Sequence, residues 1–324
     1  VLDAAGIGDM EQAFGIQHAV YRSESGPELA YRVVPAARYG FSYRYEPTDS
    51  GAEFGFTTDF SRHKDHRPDP IPVRGTVVML HGWSMDGTSM LPWALALGER
   101  GYQSILVDLR SHGDSEQATV GYGPAEGADI ARLVHQLDAE GKLQGTFAIF
   151  GISYGAVAGL QAATHLHGKV DGVIAMSPYS NAANGIRGMI DTAGHMGGNS
   201  LPSRLQRTWI RMRYDDEAID RAINEASERI GTDLASLETA DAIRNTSACI
   251  AILHGTNDEM FNIDTIRPLA DASNNATFTE LEGEGHISAP LRVDLLASPV
   301  ADWLDALPAK KCPAFDPEFK ANVP

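Results

Sequence analysis

Residues 145–168 constrain this chain more than any other stretch, because the hydrophobic period changes there at a single serine. Residues 147–150 are a short apolar run of the kind that forms a strand buried on both faces, and residues 156–165 are the small and apolar residues of a packed helix. Between them stands Gly151-Ile152-Ser153-Tyr154-Gly155. A glycine two residues to either side of the serine lets strand and helix close around a tight turn that exposes the hydroxyl. Five residues alone decide little, since a serine that merely caps a glycine-rich helix start fits the same pattern. The expectation that Ser153 is a nucleophile depends on what the other strands carry.

From residue 75 onward, strand-like runs at 76–80, 104–107, 147–150, 173–176, 250–253 and 277–281 alternate with helical stretches at 89–100, 124–137, 156–165, 263–272 and 291–307. This order predicts an α/β fold, a mostly parallel twisted sheet with helices on both faces and right-handed crossovers. In such a sheet, chemistry collects beyond the carboxyl ends of the strands. One crossover is far longer than a helix requires: 67 residues, 181–247, lie between two strands, where about 10 to 12 suffice. Within it, residues 215–231 read as a capped helix with Ala218, Ile219, Ala222, Ile223, Ala226 and Ile230 on one stripe and Gly231 as the stop. A helical insertion is therefore expected, either a cap over the sheet's carboxyl edge or a side excursion of extra helices. It carries His195, Arg187 and Arg204.

Residues 1–74 read as an antiparallel extension packed on the main domain, whose core spans 75–180 and 248–324. Tyr39, Phe41, Tyr43 and Tyr45 alternate with small or polar residues, which puts four rings on one face of a strand. With shorter signals at 29–34 and 54–58 and turn residues between them, a meander is expected. His63, Lys64, Asp65, His66 and Arg67 precede two prolines without an apolar frame to hold the imidazoles, so they read as a solvated loop and no metal is assigned.

With 43 acidic and 26 basic residues, the formal charge of −17 disfavours nucleic acid or an anionic membrane as partner. No apolar run reaches the roughly 18 residues of a membrane span. Cys249 lies in an apolar strand-like run and reads as an inert core thiol, while Cys312 sits in a proline-rich tail. Nothing in their spacing indicates that they pair.

The strand ends test the serine. His81-Gly82-Trp83 follows the first parallel strand and Asp108 through Ser115 the second. His254-Gly255-Thr256-Asn257-Asp258 and Glu282 through His286 follow the last two. Together these segments resemble the α/β-hydrolase fold superfamily over residues 75–307, nearest to bacterial carboxylesterases and prolyl-oligopeptidase-like hydrolases without a propeller. The resemblance rests on the chain order Ser153, Asp258, His286, the His81-Gly82 segment, the 110–115 turn and the Gly285-His286 pair.

That resemblance implies a Ser153 nucleophile, a His286 base and an Asp258 acid, with Glu259 as an adjacent rival carboxylate. It implies backbone N–H donors at Tyr154 and Trp83 for the oxyanion. The expected activity is hydrolysis of a small carboxylic ester through an acyl-enzyme, without metal or organic cofactor. A peptidase or amidase with the same triad is the alternative, and Arg187 or Arg204 could then hold a peptide terminus. A non-catalytic binding protein is the reading from another class. Trp83 and Tyr154 are expected to touch substrate, with Met85, Tyr179 and Met189 as further large residues near the site. His81, His254 and His112 are expected to pack loops. The start at Val1 and the N-terminal region outside the resemblance favour export.

Overall fold

The computed structural model of the chain describes residues 11–23, 25–48, 51–58, 68–195, 215–309 and 311–315. Its strands are β1 (Gln17–Tyr21), β2 (Leu29–Val34), β3 (Ala37–Arg38), β4 (Phe41–Thr48), β5 (Gly51–Thr58), β6 (Asp69–Pro70), β7 (Gly75–Leu80), β8 (Tyr102–Val107), β9 (Thr146–Ile152), β10 (Gly172–Met176), β11 (Cys249–Gly255) and β12 (Ala276–Leu281). Among the described residues, eight of them form one sheet in the order β1-β2-β8-β7-β9-β10-β11-β12. From β8 to β12 every neighbour is parallel, and β1 and β2 add antiparallel pairs at one edge. The registers Leu80 with Gly151, Gly151 with Ala175 and Gly255 with Leu281 bring the strand ends level. Loops from distant parts of the sequence therefore open on one edge.

The parallel strands read as continuous apolar runs because both faces are covered. Val78, Leu80, Ile149, Val173 and Ile250 pack with α2 (Pro124–Ala139) and α3 (Tyr154–His165) on one face. Val77, Met79, Phe150, Ile174 and Ala251 pack with α1 (Leu91–Gly98) and the last long helix, Val293–Ala306, on the other. Among the described residues, the α-helices of the insertion are α4 (Ala182–His195), α5 (Asp216–Ile230) and α6 (Thr239–Arg244). The Asp215 side chain accepts from the Ala218 N–H at 2.8 Å to start α5, and Gly231 stops it in the left-handed region at φ 69°.

Two expectations need correction. The early strands do not form one meander: β2 lies inside the main sheet, between β1 and β8, whereas β4 and β5 make a separate hairpin. β2 already had an apolar pattern suited to burial on both sides, and the exposed edge of β8 supplied its partner. Tyr39 falls just outside β4, where its ring is buried edge-on against Phe14 at 5.1 Å. Phe41 and Tyr43 pack against the same core face, and the Arg292 guanidinium lies 4.9 Å from the centre of the Tyr45 ring.

The second correction concerns the cysteines. Cys249 and Cys312 form a disulfide, with their Cα atoms 5.3 Å apart. The tail folds back over the sheet, held by Trp303 Nε1 donating to the Pro313 carbonyl at 3.1 Å and the Thr279 hydroxyl donating to the Phe315 carbonyl at 2.8 Å. Cys249 is therefore a partly buried anchor for the tail rather than an inert thiol.

Candidate active site

Ser153 follows β9 directly, and its backbone sits at φ 53°, ψ −114°, a region that side chains with a Cβ rarely adopt. The two flanking glycines explain how the turn is tolerated. A Cβ on Gly151 would lie 2.2 Å from the Gly155 carbonyl oxygen, and one on Gly155 would lie 2.4 Å from that of Leu80. Neither position can hold a larger residue without moving backbone. The Ser153 N–H donates to the Met176 carbonyl at 2.8 Å, which ties the turn to the end of β10.

The Ser153 hydroxyl lies 3.0 Å from His286 Nε2, and His286 Nδ1 lies 2.8 Å from Asp258 Oδ2. A carboxylate only accepts, so Nδ1 carries the proton and Nε2 presents a lone pair to the serine hydroxyl. Asp258 Oδ1 accepts from the N–H groups of Met260 and Phe261 at 2.9 and 2.8 Å. The Asp258 side chain is fully buried, whereas Glu259 points to solvent. Of the two adjacent carboxylates, only Asp258 meets the histidine.

Two other histidines support this loop geometry without joining it. His254 Nε2 donates to the Phe261 carbonyl at 2.8 Å and lies 3.4 Å from Asp258 Oδ2. Burial holds its pKa below the ordinary histidine value, against the opposing effects of Asp258 and of the Phe261 carbonyl. His81 is wholly buried; its Nδ1 donates to the Gly82 carbonyl at 2.8 Å and its Nε2 accepts from the Leu109 N–H at 3.0 Å. Burial pushes its pKa down to about 4. Both are neutral loop-packing groups at neutral pH.

The loop after β7 passes close to the serine. A Cβ placed on Gly82 would lie 3.8 Å from Ser153 Cβ. Neither the Trp83 nor the Tyr154 backbone N–H finds an acceptor among the described residues. The Trp83 indole is partly exposed, stacked on Tyr122 at 5.9 Å and 8° and met edge-on by Tyr154 and His112 at 5.3 and 5.4 Å. Tyr154 itself is buried behind Trp83, so its ring supports that wall instead of facing the opening. Burial and then the Glu126 carboxylate raise its pKa well above the usual phenol value. Tyr179 is buried too, donating to the Tyr122 carbonyl at 3.0 Å.

The roles of three residues escaped sequence reasoning. Phe261 packs its ring on His286 while its N–H holds Asp258. A polar residue followed two and three positions later by free N–H groups is a local turn signal that could have marked it. Asp108 is buried, and its carboxylate accepts from the Gly87 N–H at 2.7 Å and the Asp114 N–H at 2.9 Å. It thereby clamps the loop after β7 to the loop after β8. Asp86 stands on the first of these loops beside Met85.

The insertion reaches the same edge. A Cβ on Gly188 of α4 would lie 2.4 Å from the Met260 carbonyl and 2.8 Å from the Phe261 ring, so α4 packs on the Asp258 loop. Met189 on that helix is partly buried, and Arg187 is ion-paired with Asp220 of α5. His195 ends α4, while Arg204 and the 63–67 cluster lie outside the described residues. Among the described residues, no helix is long and apolar enough to cross a membrane and no group of three or more potential metal ligands is gathered.

Comparison with known proteins agrees with this architecture. The uncharacterized protein YqkD of Bacillus subtilis is 29% identical over 118 residues, a match that covers 36% of this chain and 39% of that protein. Among solved structures, the esterase Pf2001 of Pyrococcus furiosus superposes with a TM-score of 0.62 at 13% identity over 97% of each chain. An esterase from Exiguobacterium antarcticum gives 0.57 at 17% identity, over 89% of this chain and all of its own. A proline iminopeptidase from Mycobacterium smegmatis gives 0.57 at 14% identity, over 90% of this chain and 98% of its own. The family model described as the alpha/beta hydrolase family matches residues 77–300, a span that holds the serine turn, the Asp258 loop and His286. By that match and by its sheet, the chain belongs to the alpha/beta hydrolase family.

Proposed function

We propose that this protein is a serine hydrolase that cleaves carboxylic esters through an acyl-enzyme intermediate. The observation that carries the reading is the unbroken series from Ser153 Oγ through His286 to Asp258, at 3.0 and 2.8 Å, on a strained turn that presents the hydroxyl. A serine hydroxyl is a weak nucleophile at neutral pH, so a base must take its proton as it attacks the carbonyl carbon. His286 Nε2 takes that proton and returns it to the departing alcohol oxygen. Asp258 holds the ring in one tautomer and stabilises the imidazolium. The oxygen that becomes negative is met by the Trp83 and Tyr154 N–H groups, which have no other acceptor among the described residues. Water then repeats the attack on the acyl-enzyme, and Ser153 is released. At this edge α4 packs against the acid loop.

Two observations support an ester over a peptide. Two of the structural neighbours described above are esterases. Arg187, one of the cations that could anchor a peptide carboxylate, is already engaged with Asp220.

A fluorophosphonate reagent is expected to modify Ser153 stoichiometrically, located by peptide mass spectrometry, and Ser153→Ala to abolish p-nitrophenyl acetate turnover. Undiminished turnover in that variant removes Ser153 from the mechanism. Faster release from aminoacyl amides than from short esters would make the protein an amidase instead.

A further inference from the structure

Beside Ser153, the loops after β7 and β8 line an open pocket of about 410 Å³ whose walls include Trp83, Ser84, Met85, Asp86, Ser111 and His112. It adjoins the reacting group, because the position of a Cβ on Gly82 is 3.6 Å from Met85 Sδ and 3.8 Å from Ser153 Cβ. The walls are also held firmly. Ser84 and Ser111 sit in the left-handed region at φ 60° and 63°, which a side chain with a Cβ adopts only when its surroundings enforce it. The buried Asp108 carboxylate ties the two loops together from behind.

Asp86 and His112 bring acceptor atoms to this cavity, and the Trp83 indole brings one N–H donor beside its ring face. Asp86 Oδ1 accepts from the Thr88 N–H at 2.8 Å and from the Thr88 hydroxyl, and no donor among the described residues reaches Oδ2. His112 Nδ1 lies 2.9 Å from the Arg110 carbonyl, which only accepts, so that nitrogen carries the proton and Nε2 keeps a lone pair. Neither lysine nor arginine lines the cavity, and no cation among the described residues pairs with Asp86. The partly exposed Trp83 ring adds an aromatic surface that attracts cations. A net charge of −17 adds a long-range field of the same sign.

The geometry points to a subsite for a cationic amine: the preferred substrates are esters whose acyl or alcohol portion carries a protonated or quaternary nitrogen, seated against Asp86, His112 and Trp83. This inference rests on the ester-hydrolase reading and names its substrate class.

The test compares charged esters with isosteres in which carbon replaces the nitrogen. On the acyl side, the p-nitrophenyl ester of ε-aminocaproic acid is set against that of heptanoic acid. On the alcohol side, acetylthiocholine is set against its uncharged carbon analogue. The cationic member of at least one pair should show kcat/KM higher by about fivefold or more. Asp86→Asn keeps an acceptor for Thr88 and should bring that ratio close to one, while Asp86→Lys should invert it. Preference for the uncharged member in both pairs, or a ratio unmoved by both variants, overturns the subsite. Failure of the wild-type protein to hydrolyse p-nitrophenyl acetate overturns the ester reading itself; turnover of that ester without cation preference overturns only the present inference.

Discussion

The Phe261 ring meets the His286 imidazole edge-on, with centroids 4.8 Å apart and planes at 87°, while the Phe261 N–H donates to Asp258 Oδ1 at 2.8 Å. One residue thus positions both the proposed base and the acid that orients it. Phe261→Leu keeps an apolar group in the buried site but removes the flat ring, so the imidazole gains freedom to tilt. The expected result is a kcat lower by about tenfold with KM little changed. Steady-state kinetics with p-nitrophenyl acetate decide, and an unaltered kcat would reduce the ring to a space-filler.

Asp258 and Glu259 are neighbours in sequence with opposite surroundings. Asp258→Asn should lower kcat by about ten-thousand-fold, because an amide at that place favours the wrong histidine tautomer. Glu259→Gln should leave kcat within about twofold, because the exposed Glu259 carboxylate makes no bond to His286 among the described residues. Equal losses in the two variants would transfer the acid's role away from Asp258.

His81 makes stability depend on pH. Its pKa in the folded protein is about 4, below the ordinary value of 6.5. The unfolded chain therefore takes up a proton that the folded chain refuses as pH falls between these values. Stability from this group is complete above about pH 6.5 and is lost on acidification towards about pH 4, with His254 shifted in the same direction. A loss of about 3 kcal/mol across the window is expected from His81. Urea unfolding midpoints of the wild type and of His81→Asn, taken between about pH 7.5 and pH 5, should show a steeper acid decline in the wild type.

The Cys249–Cys312 bridge spans 63 residues of sequence and fixes the tail on β11. Its removal in Cys249→Ser/Cys312→Ser should lower unfolding free energy by about 2–4 kcal/mol. Thermal denaturation with and without reductant measures this, and the double variant should be insensitive to reductant. Below its melting transition it should keep wild-type kcat, since the bridge lies away from Ser153 and His286.

The parallel core is legible in the sequence because burial on both faces writes each strand as a solid apolar run, and because the polar segments after those runs stand out. Ser153, Asp258 and His286 each lie in the polar segment after such a run, and the family resemblance implied that these segments meet. The placement of β2 was not readable: antiparallel pairing with β8 depends on which sheet edge is open, and local composition carries no record of that. Phe261 and Tyr154 show a second limit. An aromatic side chain in a loop near a site can face the opening, as Trp83 does, or stand behind it, as Tyr154 does. Only packing distinguishes the two. The disulfide was hidden for a similar reason, since a tail's path back across a sheet leaves no periodicity.

The strand order also sets when the chain becomes reactive. Ser153 follows the central strand β9, but its partner stands 133 positions later, beyond β12 at the margin of the sheet. During synthesis, the central strands can associate long before that last strand leaves the ribosome. A nascent chain halted before β12 carries Ser153 without His286, the base proposed to activate it. On the proposed triad, a chain that ends before His286 lacks the base its hydrolysis requires.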